Sequence, residues 1–126
     1  MEKTPKKILI VEDETDLREA LKTMFSYDEF VVLTASDGEE GLRIALAEKP
    51  DVILLDVLMP KMDGVTVLKN LRADAWGKTA RVIVLTALDD FEKISEILVA
   101  GGDEYIVKTD VAFTTIAQKV KEKLAV

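Results

Sequence analysis

Residues 51–64 read D-V-I-L-L-D-V-L-M-P-K-M-D-G, and the first half of this stretch decides the fold. Four consecutive apolar residues, Val52 to Leu55, run into Asp56, which is followed by further apolar residues and Pro60. A run this short and this uniformly apolar is what a strand buried on both faces looks like, because neither side of it meets water. An ionised carboxylate at its end is costly unless something compensates the charge.

Two other runs have the same form, Ile8 to Val11 and Val82 to Leu85, and weaker strand candidates lie at Val31 to Ala35 and Glu104 to Val107. The segments between them carry helical spacing. Leu17, Ala20, Leu21, Met24 and Phe25 mark one helical face, and Phe113, Ile116, Ala117, Val120 and Leu124 another. Asp37 with Glu40 forms a capping box before Leu42, Ala45 and Leu46. Val65, Leu68 and Leu71 mark a further helix. Ile94, Ile97 and Leu98 mark a fifth, opened by Asp89 with Glu92 and closed at Gly101-Gly102.

Strand and helix thus alternate five times. Right-handed crossovers then require a five-stranded parallel sheet with helices on both faces, a doubly wound (βα)5 α/β fold of the flavodoxin-like kind. The 126 residues suffice for one core, so residues 1–126 are expected to form a single domain, with 1–6 a flexible N-terminal segment.

Composition narrows the chemistry. The net charge of −7 disfavours direct nucleic-acid binding and anionic lipid. With no cysteine and no histidine, the chain has no thiolate nucleophile, no Cys/His zinc site and no Ser-His-Asp triad. No apolar run approaches the ~18 residues of a membrane helix, and residues 1–7 lack a signal peptide's apolar core. A cytoplasmic protein without a membrane partner is expected.

Ligand sites of open α/β sheets lie at the carboxyl ends of the strands. The first run ends in Glu12-Asp13, the third strand in Asp56, the fourth in Thr86 and the fifth in Lys108. Each has a plain structural reading when taken alone: turn former, helix N-terminal charge, strand residue, surface lysine. Their coincidence at successive strand ends is what those readings leave unexplained. If the central strands lie side by side, the acids meet, and oxygen ligands without nitrogen or sulfur suit Mg²⁺. An aspartate can act as a nucleophile toward phosphorus, with a cation, a lysine and a hydroxyl stabilising the transferred group.

The chain resembles the receiver domain of two-component response regulators, and most of all the chemotaxis-regulator-like single receivers. K-I-L-I-V-E-D-E from Lys7, P-D-V-I-L-L-D-V-L-M-P-K-M-D-G from Pro50 and D-E-Y-I-V-K ending at Lys108 carry the likeness over nearly the whole chain. The resemblance implies that Asp56 is the phosphoacceptor and that Asp13, Asp56 and the backbone carbonyl of Leu58 bind Mg²⁺, with Glu12 acting through water. It implies that Lys108 pairs with the carboxylate and then the phosphoryl group, that Thr86 is the switch hydroxyl, and that Tyr105 is the aromatic that follows it. It implies a sensor histidine kinase or phosphotransfer protein as phosphoryl donor, an effector protein the sequence does not name, and no turnover on an outside substrate. Receivers of this kind often dimerise when phosphorylated, which makes a phosphorylation-dependent homodimer a further expectation.

Two departures matter. The family usually follows its lysine with proline, where this chain has Thr109; a cis bond there would cost ~3 kcal/mol, so trans is expected. Leu58 and Leu88 occupy the places that flank the phosphoryl group, and two apolar side chains there predict poorly oriented water and a long-lived phosphoryl group. Both leucines also have a plain reading as core caps. Two other functions compete: a Mg²⁺-dependent aspartyl-phosphate phosphohydrolase, which would need a second acid where Leu58 stands, and a nucleotide or flavin binder, for which no glycine-rich phosphate loop is present. The sequence ends after the last helix, as a complete single-domain regulator or an excised receiver would.

Overall fold

The computed structural model describes residues 5–57, 59, 61–86, 91–108 and 113–124. Five strands, β1 (Lys7–Val11), β2 (Val31–Ala35), β3 (Val52–Asp56), β4 (Val82–Thr86) and β5 (Glu104–Val107), form one parallel sheet in the order β2-β1-β3-β4-β5. The helices are α1 (Thr15–Tyr27), α2 (Gly38–Glu48), α3 (Gly64–Ala73), α4 (Phe91–Val99) and α5 (Phe113–Leu124). The expected doubly wound fold is the observed one.

Strand periodicity splits the core into two layers. Ile8, Ile10, Val52, Leu54, Ile83 and Leu85 point to the side covered by Leu21 and Phe25 of α1 and by Ile116 and Val120 of α5. Leu9, Val11, Ile53, Leu55, Val82 and Val84 point to the other side, against Ala45 of α2, Val67, Leu68 and Leu71 of α3, and Ile97 of α4. Because both sets are buried, the strands read as continuous apolar runs. Leu98 and Phe113, read from spacing as core-facing, are each 42% exposed and lie outside both layers.

Capping follows the sequence closely. Asp37 accepts from the Glu40 N–H at 2.8 Å, and the Glu40 carboxylate accepts from the Ser36 N–H at 2.9 Å. Asp63, which reads as turn chemistry, is the N-cap of α3 and accepts from the Thr66 N–H at 2.8 Å. Asp89, assigned as the opening of α4, lies outside the described residues, as does Pro60.

The sheet is fastened at its amino edge by side chains that have no periodic signal. Asp51 accepts from the Lys7 N–H at 2.7 Å and Asp103 from the Val82 N–H at 2.7 Å, each linking a loop to the start of a neighbouring strand. The Lys6 carbonyl accepts from the Val31 N–H at 2.9 Å. Arg72, at the end of α3, donates to the carbonyls of Gly77 and Ala80 at 2.7 and 2.6 Å and from Nε to that of Gly101 at 3.1 Å. It thereby secures a 3-10 turn at Gly77–Thr79 and the start of the α4–β5 connection. The opposite edge carries the buried polar residues Glu12, Asp56 and Thr86.

Candidate phosphoacceptor and metal site

At the carboxyl edge, β1, β3, β4 and β5 end beside one another in space and deliver Glu12, Asp56, Thr86 and Lys108. Asp56 is the last residue of β3, in register with Leu85, and Thr86 is the last of β4, in register with Val107. The Lys108 N–H donates to the Thr86 carbonyl at 2.7 Å, so the ladder itself sets where the lysine leaves the strand.

The backbone just after Asp56 is held by α3. The Gly64 N–H donates to the Val57 carbonyl at 2.9 Å, and a Cβ at Gly64 would come within 2.7 Å of Val57 Cα and 2.9 Å of the Asp56 carbonyl oxygen. Glycine at 64 thus allows the helix to start hard against the strand end. Asp63-Gly64 is both cap and close approach.

The side chains converge. Carboxylate oxygens of Glu12, Asp13 and Asp56 lie within 4.8 Å of one another. Glu12 and Asp56 are buried, at 1% and 3% exposed, and Asp13 is exposed at the rim. Lys108 Nζ lies 2.8 Å from Glu12 Oε1 and 3.3 Å from Asp56 Oδ2. Thr86 is fully buried.

This arrangement perturbs the acid most enclosed by it. Burial, reinforced by the Glu12 charge, pushes the Asp56 carboxyl up to about 7, and Lys108 offsets only part of that rise. For Lys108 the balance runs the other way. Burial pulls its ammonium down, but contact with Glu12 and the Asp56 charge outweigh it and hold the group above the usual lysine range.

The donors fit a hard divalent cation. All are oxygens, two are buried, and Lys108 supplies a single positive charge against three carboxylates. Among the described residues, Glu12 Oε1 has the Lys108 ion-pair contact but no directed hydrogen bond, which leaves it acceptor capacity for a metal's water. Leu58, whose carbonyl was expected as a further ligand, lies outside the described residues, as do Leu88 and the Thr109 side of the Lys108-Thr109 bond.

Tyr105 lies on β5 opposite Val84 and is 37% exposed, at the rim of the sheet. One contributor escaped the sequence reading altogether. Arg18 of α1 folds back and donates from Nη1 to the Glu12 carbonyl at 2.9 Å, with the Asp13 carbonyl 3.4 Å away. A single arginine on a helix surface gives no pattern by which this could have been anticipated.

The family model for the response regulator receiver domain matches residues 8–121. The chain belongs to this family. It is 44% identical over 105 residues to a probable transcriptional regulator, ycf27, of Guillardia theta, covering 83% of this chain and 40% of that protein. It resembles the structure of the chemotaxis protein CheY4 of Vibrio cholerae, with a TM-score of 0.89 and 29% identity, over 96% of this chain and 100% of that one. The structure of a CheX-CheY-BeF3-Mg+2 complex from Borrelia burgdorferi matches with a TM-score of 0.87 and 32% identity, over 97% of this chain and 91% of that one. The chain spans about two fifths of the length of the curated relatives it matches. It is a receiver domain of two-component systems, a signalling family whose members work with histidine kinases. No helix among the described residues is long and apolar enough to cross a membrane.

Proposed function

We propose that this receiver takes a phosphoryl group from a phosphohistidine of a sensor kinase or phosphotransfer protein onto Asp56, and switches a partner-binding surface through Thr86 and Tyr105. The observation that carries the reading is the buried Asp56 carboxylate with Lys108 at 3.3 Å and the Glu12 and Asp13 carboxylates within 4.8 Å.

An ionised Asp56 oxygen attacks phosphorus, the P–N bond breaks, and its electron pair leaves on the imidazole. Asp13, Asp56 and the Leu58 carbonyl would hold Mg²⁺, with Glu12 reaching it through water. When bound, the ion supplies positive charge against the carboxylates and the phosphoryl oxygens. Lys108 shares that task from the other side and leaves Glu12 and Asp56 partly for the phosphoryl group. The Thr86 hydroxyl donates to a phosphoryl oxygen, and Tyr105 moves into the space so vacated. The similar Borrelia burgdorferi protein forms a complex with BeF3 and Mg+2, which supports this reading of the site.

Leu58 and Leu88 keep hydrolytic water poorly oriented, so the phosphoryl group is long-lived. The chain acts by stoichiometric self-phosphorylation in the cytoplasm rather than by turnover on an outside substrate, binds no nucleic acid through this domain, and dimerises when phosphorylated. A Mg²⁺-dependent phosphohydrolase is disfavoured by Leu58 at the place of the second acid.

The distinguishing test is turnover. With Mg²⁺ and acetyl phosphate, the chain should take up one phosphoryl group and release phosphate slowly, and it should leave p-nitrophenyl phosphate untouched. Continuous, multiple-turnover hydrolysis of both compounds would favour the phosphohydrolase instead.

A further inference from the structure

Glu12 and Asp13 occupy a connection of only a few residues between Val11, the end of β1, and Thr15, the start of α1. The two acids are held very differently. The Glu12 side chain has Lys108 at 2.8 Å and accepts from the Glu14 N–H at 3.1 Å. The Asp13 carboxylate is exposed and, among the described residues, no hydrogen bond or ion pair fixes it. Its place beside Asp56 is therefore set by its backbone.

That backbone is held by Arg18. The guanidinium reaches back along α1, and Nη1 donates to the Glu12 carbonyl at 2.9 Å with the Asp13 carbonyl at 3.4 Å. The α1 ladder reinforces the loop from the same residue, since the Arg18 N–H donates to the Glu14 carbonyl at 2.9 Å. Among the described residues Arg18 forms no salt bridge, although Glu14 and Glu19 are near it in sequence. A long cationic side chain that spends its hydrogen bonds on two successive carbonyls of an acid loop is ordering that loop.

We propose that Arg18 is a positioning residue for the metal site. Resting on the reading of this site as Mg²⁺-dependent, Arg18 fixes the carbonyls of Glu12 and Asp13 and so presents the Asp13 carboxylate to the ion in advance of binding. Groups that orient metal ligands without touching the metal typically raise affinity about ten- to a hundredfold. Arg18 acts on the backbone of its ligand residue rather than on the ligand oxygen, so the low side of that range applies. Charge alone works in the opposite direction: a guanidinium near the site repels a divalent cation, and removing it would tighten binding. The sign of the effect therefore separates positioning from simple electrostatics.

Calorimetric titration of metal-free protein with Mg²⁺ tests the proposal. R18A, and R18M, which keeps the apolar stem if the alanine variant folds poorly, should weaken Mg²⁺ binding about tenfold. R18K, which retains a donor, should recover part of the loss. Phosphorylation by acetyl phosphate at saturating Mg²⁺ should stay within about twofold of wild type, while the half-saturating Mg²⁺ concentration rises with the binding constant. Equal or tighter Mg²⁺ binding in R18A and R18M than in wild type would overturn the role of Arg18. So would R18K binding no better than R18M. A wild-type protein that binds no Mg²⁺ would instead overturn the reading of the site on which the proposal rests.

Discussion

Lys108 Nζ lies 2.8 Å from Glu12 Oε1, although the two residues extend from β5 and β1, strands separated in the sheet by β3 and β4. The ammonium thus bridges the carboxyl edge above Asp56, to which it is the more distant partner at 3.3 Å. Among the described residues, it is the cation paired with both buried carboxylates and makes them tolerable together. Breaking a buried pair ordinarily costs several kcal/mol, because a charge is left uncompensated.

Lys108→Ala should accordingly destabilise the metal-free domain by about 1–2 kcal/mol at pH 8, less than for a pair that cannot take up a proton. Asp56 can be protonated near neutrality and so absorbs part of the loss. At pH 5 it is already protonated, and the penalty should shrink. Urea denaturation at the two pH values measures this, and a penalty independent of pH would contradict it.

The raised carboxyl of Asp56 has its own signature. Its folded-state value is about 7 against an ordinary 3.8, so the folded protein binds more protons than the unfolded chain between those values. Stability from this group is fully present below pH ~4 and is lost as pH rises through ~7. Asp56→Asn removes the titration. Without Mg²⁺, the variant should melt at least about 3 °C above wild type at pH 8, with the difference narrowing toward pH 5. A variant less stable than wild type at pH 8 would contradict the assignment of a strained, buried acid.

Tyr105 is 37% exposed, so its ring can be removed without opening the core. Tyr105→Ala should change stability by less than about 1 kcal/mol and leave phosphorylation intact. NMR spectra recorded with beryllofluoride and Mg²⁺ should then show smaller shifts in α4 and β5 than in wild type. Unchanged shifts would exclude Tyr105 from the switch, and a variant that no longer accepts a phosphoryl group would mean that it acts at the site instead.

Leu58→Asn should place a polar group where water approaches the phosphoryl oxygen and accelerate self-dephosphorylation on the order of tenfold, the scale of one added hydrogen bond in the transition state. The decay of the phosphorylated form, followed by intact mass after removal of acetyl phosphate, measures it. An unchanged or slower decay would contradict the proposed tuning.

The fold was legible because burial on both faces writes itself into sequence as short apolar runs, and the Asp37 and Asp63 caps follow local rules. The convergence of Glu12, Asp13, Asp56 and Lys108 was legible only through the rule that sites lie at strand carboxyl ends, together with adjacency of the central strands. The strand order that brings Lys108 to Glu12 is a tertiary fact with no local signature. The same holds for Arg18 and Arg72, whose guanidinium groups bind backbone carbonyls that any residue could supply. Leu98 and Phe113 fit a helical stripe yet stand exposed, because spacing locates a face without showing how far a neighbouring element covers it.

Everything proposed for the switch depends on Asp56 accepting a phosphoryl group with Mg²⁺. Intact-mass measurement after incubation with acetyl phosphate decides that point. One added phosphoryl group is expected in wild type, and none in Asp56→Asn or without Mg²⁺. No added mass in wild type, or an added phosphoryl group that survives the Asp56→Asn substitution, would contradict it.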